Sequence, residues 1–258
     1  MTKFRGIGGC LAVLGLALAG CTTTEGPSQK ADLKEAARLN AQLGIDYMRK
    51  GNFEVALEKL QKSLEQDDEL GVAHSAIALV YQRKGETKLA GKHYREALDI
   101  NADDSVTLNN FGIFLCGQGE FEDAEEVFLK AAKNKDNLQT ADAWANAGTC
   151  APRDEEGRVR AEGYLREALR LNPRHANALA SLARVSYEKK DYLRARAFLQ
   201  RYEMNSRPTA ETLYVGAQTE RALGDMTAAR AYERRLRNDF PDSRETEMLE
   251  KASRPGKR

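Results

Sequence analysis

The chain has 258 residues, with 40 Lys plus Arg against 39 Asp plus Glu and a net charge of +1. Near neutrality argues against a nucleic-acid binder, because no cationic excess offsets phosphate charge. A mean hydropathy of −0.61 excludes a polytopic membrane protein. The balance of 31% charged and 41% apolar residues is that of a folded chain, and four Cys are too few for a disulfide scaffold.

At the N-terminus, Lys3 and Arg5 precede an apolar run from Ile7 through Leu11, Val13, Leu14 and Leu16 to Leu18. A short positive region before about a dozen apolar residues reads as a secretory signal over residues 1–20. It ends in Leu18-Ala19-Gly20-Cys21, which resembles the lipobox of bacterial lipoproteins. That resemblance implies diacylglycerol on the Cys21 thiol, cleavage before Cys21, and a further acyl chain on the new amino group. Two or three chains make a lasting anchor where one does not. Thr22 stands where an Asp would retain a lipoprotein inside, so resemblance to Gram-negative sorting implies the periplasmic face of the outer membrane. Residues 21–32 are expected to be the lipidated N-terminus and a flexible tether, because Thr23, Thr24, Gly26, Pro27, Ser28 and Gln29 show no apolar period.

From Lys34 onward the sequence repeats itself every 34 residues. Leu43-Gly44, Tyr47, Gly51, Phe53, Ala56 and Leu60 return as Ile77-Ala78, Tyr81, Gly85, Thr87, Ala90 and Tyr94. The next set is Phe111-Gly112, Leu115, Gly119, Phe121, Ala124 and Phe128. A fourth arrives two residues late with Trp144, Ala147-Gly148, Ala161, Leu165 and Pro173. The fifth has Leu182-Ala183, Tyr192, Ala195 and Leu199, and the sixth Gly216-Ala217, Gly224, Ala229 and Pro241. This resembles the tetratricopeptide repeat (TPR), and six copies in register are a specific match. The fold class implied is an all-α TPR solenoid of six helix-turn-helix repeats, over about 37–70, 71–104, 105–140, 141–175, 176–209 and 210–241. A capping helix over 242–252 and a tail over 253–258 would complete a domain spanning 33–252.

Small residues in both helices of each unit permit close approach, and large ones fill the gaps. Gly51, Gly85, Gly119 and Gly224 fall where the first helix must end in a left-handed residue. Pro173 and Pro241 stop second helices. Two units depart. The fourth has Ala151-Pro152-Arg153-Asp154 instead of a turn glycine, which predicts a shortened first helix and a longer turn. The sixth has Glu233 where an aromatic is usual, beside Tyr232, which predicts either poorer packing or a slight shift.

No catalytic signature is present, so an enzyme is not expected, nor a small-molecule substrate, cofactor or metal beyond the lipid on Cys21. His74, His93 and His175 form no HExxH and are expected to lie apart in different repeats. Gly112 and Gly117 have phosphate-loop spacing, but Gln118-Gly119 follows instead of a Lys and a hydroxyl. The pairs Glu125-Glu126 and Glu155-Glu156 read as solvated faces. Trp144 occupies the Trp position of the repeat and reads as packing.

Cys116 and Cys150 lie one repeat apart on first helices of consecutive units, and the expected compartment is oxidising. A disulfide would staple the middle of the array. Two buried free thiols are the alternative, because neighbouring helix axes lie about 8–10 Å apart and the side chains must point at each other. First helices of TPR arrays line a groove. Repeat positions facing it would be Ile45, Met48, Val72, Leu79, Val106 and Ile113 in the first three units. Asn177, Arg184, Tyr187, Glu211, Tyr214, Gln218 and Arg221 would face it in the last two. The groove would be apolar in its N-terminal half, a pattern for docking a peptide or helix, unless these side chains merely pack against neighbouring helices.

The lipobox, the six repeats, Asn109-Asn110-Phe111-Gly112-Ile113-Phe114-Leu115-Cys116 and Asn146-Ala147-Gly148-Thr149-Cys150 together resemble the PilF/PilW family. These are type IV pilus biogenesis and stability proteins of Gram-negative bacteria, and members carry paired cysteines where Cys116 and Cys150 fall. The resemblance implies a pilotin, a lipoprotein that binds the pilus secretin subunit and promotes its outer-membrane localisation and multimerisation. A TPR lipoprotein serving peptidoglycan enzymes or outer-membrane protein assembly is the alternative.

Overall fold

The computed structural model describes residues 27–253. Among these residues are thirteen helices and no strand. The first pairs are α1 (Pro27–Arg49) with α2 (Phe53–Gln66), α3 (Gly71–Lys84) with α4 (Thr87–Ile100), and α5 (Ser105–Gln118) with α6 (Phe121–Lys133). Then come α7 (Thr140–Cys150) with α8 (Glu155–Leu171), α9 (Ala176–Glu188) with α10 (Tyr192–Glu203), and α11 (Ala210–Ala222) with α12 (Met226–Asp239). α13 (Arg244–Ser253) closes the array on α11 and α12. The fold is the all-α TPR solenoid that the periodicity predicts.

The tether expected over residues 21–32 is overtaken from Pro27 onward by α1. Proline is tolerated in a first helical turn, where its missing N–H has no partner to lose, and Lys30, Ala31, Leu33, Lys34 and Glu35 extend a helix without needing a core. The signal segment, Cys21 and the tail beyond Ser253 lie outside the described residues.

Local chemistry places the helix ends. Asp104, Asp154, His175, Asp191, Thr209 and Asp225 each cap the following helix by accepting from a backbone N–H three residues on. Gly85 and Gly119 end α3 and α5 in the left-handed region. The corresponding position of the fifth repeat is Lys190, with φ 62°, a conformation that costs a side-chain-bearing residue about 1 kcal/mol.

Each odd helix from α1 to α11 touches the next odd helix, whereas no even helix touches another even one. The array therefore curves with the odd helices on its inner side. Close approach within a repeat depends on absent side chains. A Cβ added at Gly112 would stand 2.6 Å from the Phe128 ring, and one at Gly148 would stand 2.6 Å from Leu165. In the sixth repeat the filling residue shifts by one, as the sequence leads one to expect. Tyr232 lies over Gly216, while Glu233 turns to Arg221 and Arg237. The fourth repeat has an 11-residue first helix, α7, against 14 residues in α3 and α5.

Candidate protein-docking groove

The inner face is set by repeat register. Val72 on α3 and Val106 on α5 are 49% and 56% exposed. With Leu70, Ser75, Ile100 and Thr107 they line an open cleft of about 460 Å³ between the second and third repeats. Ile113, 45% exposed, stands seven residues beyond Val106. Seven residues are two helical turns, so it continues the same stripe about 10.5 Å along α5.

The other three residues assigned to this face are not free. Ile45 and Met48 are half-buried against the cluster that contains Ala73, Ala76 and Val80. The small alanines of α3 leave room for side chains of α1 to settle there. Leu79 is half-buried against the cluster of Tyr94, Phe111 and Phe114. The accessible stripe therefore narrows to Val72, Val106 and Ile113. Leu39 and Leu43 are exposed on α1, the first described helix.

The polar half of the inner face is largely occupied by its own ion pairs. The Arg184 guanidinium is buried and meets Glu188 at 3.2 Å and Glu211 at 3.5 Å. Arg221 turns toward Glu233 on α12. Tyr187 packs on Tyr192, and with Tyr214 and Met248 it lines a cleft of about 320 Å³ beside α13.

Two ties hold α5 to α7. Cys116 and Cys150 are joined as a disulfide with Cα atoms 5.8 Å apart. Asn146 Nδ2 donates to Asn109 Oδ1 at 2.9 Å. The two sequence stretches that resemble the PilF/PilW pattern thus meet face to face, at the point where the apolar stripe passes into the irregular fourth repeat. Further along, Thr149 and Ser181 share a hydrogen bond at 3.0 Å, joining α7 to α9.

Outside the groove, polar residues fasten helices. Glu125 is not a freely solvated carboxylate, since it accepts from Tyr164 at 2.7 Å and from Arg160 at 3.3 Å across α6 and α8. Burial, reinforced by that hydrogen bond, pushes the Tyr164 phenol up to about 12. Trp144 packs on Tyr164 with ring centres 5.7 Å apart. His175 Nδ1 accepts the capping N–H of Ala178, which leaves Nε2 to donate to Asp142 at 2.9 Å. His74 and His93 do not lie apart. Both belong to the second repeat, where the turn between α3 and α4 brings them face to face. A separation of 19 residues does not register as a pair in a linear motif.

Models of the tetratricopeptide repeat match residues 42–105, 106–133 and 159–211. The type IV pilus assembly protein PilF of Pseudomonas aeruginosa is 29% identical over 236 residues, covering 90% of this chain and 93% of that one. The solved structure of P. aeruginosa PilF superposes with a TM-score of 0.77 at 28% identity, over 86% of this chain and all of that one. The crystal structure of PilW, a widely conserved type IV pilus biogenesis factor, superposes with a TM-score of 0.75 at 27% identity, over 83% and 97% of the two chains. The chain belongs to the PilF/PilW family of tetratricopeptide-repeat proteins. The superpositions cover 100% and 97% of the two solved relatives, so the likeness runs the length of the repeat array.

Proposed function

We propose that this protein is a pilotin of type IV pilus biogenesis. It acts as a binding scaffold, anchored by acyl chains on Cys21 to the periplasmic face of the outer membrane. The inner face of its repeats holds an apolar segment of the secretin subunit. Membrane address and protein affinity act together, so that the subunit is carried to the outer membrane and concentrated there for ring assembly. No bond is made or broken in this role.

The observation that carries the reading is the exposed stripe of Val72, Val106 and Ile113 on the side of the array where first helices meet. Exposed aliphatic side chains along a groove favour an extended or helical guest that buries them. The lipobox ending in Cys21 supplies the address, and the kinship with PilF and PilW supplies the pilus context. The test is a Cys21→Ser variant expressed at native level. Secretin multimers should fall sharply in outer-membrane fractions. Normal amounts of multimer in that membrane would refute the address model.

A further inference from the structure

We propose that His74, His93 and Glu96 form a binding site for a first-row transition-metal dication of the zinc type, clamping α3 to α4 in the second repeat. His74 Nδ1 and His93 Nδ1 stand 3.0 Å apart. Glu96 Oε2 lies 3.2 Å from the first and 3.1 Å from the second. The three atoms make a nearly equilateral triangle. Zinc bonds of about 2.05 Å place the ligands of a tetrahedral ion about 3.3 Å apart, close to these edges. An ion about 1 Å off the plane would stand about 2.05 Å from all three atoms. Three protein ligands leave one tetrahedral position for water, and two imidazole nitrogens select zinc-like ions over magnesium or calcium.

The chemistry of the trio calls for a cation. Two ring nitrogens and a carboxylate oxygen converge, and Glu96 Oε2 is sealed from solvent with no hydrogen bond reaching it. The three side chains are only 13%, 17% and 34% exposed. His74 Nε2 points at the carbonyl of Asp68 at 3.4 Å, which suits a protonated Nε2 and leaves the lone pair on Nδ1. Tyr81 stacks against His93 and fixes its ring. Lys92 is mostly exposed and meets the other oxygen, Glu96 Oε1, at 3.5 Å.

Comparison among the repeats shows that packing alone does not require these residues. In the third repeat the positions of His74 and His93 hold Leu108 and Val127, which pack in one apolar cluster. In the fourth they hold Trp144 and Tyr164, in ring contact. The second repeat replaces an apolar pair with two imidazoles and adds a carboxylate one turn beyond His93.

The experiment titrates Zn²⁺ into the processed protein in detergent micelles by calorimetry, with Co²⁺ as a visible probe. The clamp predicts one saturable Zn²⁺ site of micromolar or tighter affinity, a tetrahedral Co²⁺ spectrum, and a melting temperature raised by several degrees. His74→Leu with His93→Val installs the third repeat's own apolar pair, which keeps the fold, and should abolish the site. Glu96→Gln should weaken it at least tenfold. His175→Asn, which retains a capping side chain, should bind as wild type. No saturable Zn²⁺ binding below about 1 mM would overturn the assignment and leave a proton-sharing pair. Equal binding by wild type and the Leu/Val variant would overturn it by placing the ion elsewhere.

Discussion

The covalent tie between α5 and α7 gives a sharp energetic expectation. Cys116 and Cys150 are separated by 34 residues. In the chain-entropy account, opening a loop of about 34 residues returns about 12–13 cal/mol/K to the unfolded chain, or about 3.7 kcal/mol at 25 °C. A cooperative unit of about 220 residues unfolds with an entropy of about 0.46 kcal/mol/K, so loss of the bond should lower Tm by about 8 °C. Thermal melts by far-UV circular dichroism would compare the oxidised protein, the same protein with reductant, and a Cys116→Ala/Cys150→Ala variant. The last two should melt together, well below the first. If the reduced protein melted within about 2 °C of the oxidised one, the cross-link would not restrain the unfolded chain as reasoned. If only the alanine variant fell, the loss would belong to packing around the buried Cys150 sulfur and not to the bond.

Other expectations follow from single contacts. Gly112→Ala should destabilise by up to about 2 kcal/mol in denaturant titrations, since crowding of the Phe128 ring costs about 1–3 kcal/mol and alanine returns about 1 kcal/mol of helix propensity. Lys190→Gly should instead stabilise by up to about 0.5 kcal/mol, because the left-handed strain of about 1 kcal/mol that it removes exceeds glycine's entropic cost of about 0.5–1 kcal/mol. Glu162 accepts from Lys189 at 2.5 Å, and this bond, aided by Arg166 against the opposing effect of burial, holds its carboxyl below the usual carboxylate range. The native state then binds that proton less readily than the unfolded chain. Its contribution is present above the unfolded pKa of about 4.3 and is lost as pH falls through the lower folded value. Urea midpoints measured from pH 7 to pH 3 should fall less steeply in Glu162→Gln than in the wild type.

The helix pairs are legible in the sequence because a 34-residue period repeats one local problem six times, and small, large and turn residues recur at fixed offsets. The turn glycines could be assigned from their spacing alone, whereas the left-handed Lys190 could not, since nothing in a lysine marks the backbone it adopts. The inner face was legible as a register but not as an exposure. Val72, Val106 and Ile113 are open, while Ile45 and Met48 settle against the small alanines of α3 and Leu79 against the aromatic cluster of Tyr94, Phe111 and Phe114, neighbours that a linear register does not show. The His74–His93–Glu96 cluster has no linear motif to mark it, because its two imidazoles come from facing helices. The start of α1 is not legible because a polar, proline-containing stretch carries no amphipathic period, although its residues extend a helix readily.

The central claim is that a guest chain binds the inner apolar stripe. Val106 on the inner α5 and Val159 on the outer α8 are both aliphatic and nearly equally exposed, at 56% and 61%. A photo-crosslinking residue placed at each position in turn, in cells assembling type IV pili, separates specific docking from general stickiness. The account predicts an adduct with the secretin subunit from position 106 and none from position 159. An adduct from position 159 alone, or from both positions equally, would contradict it.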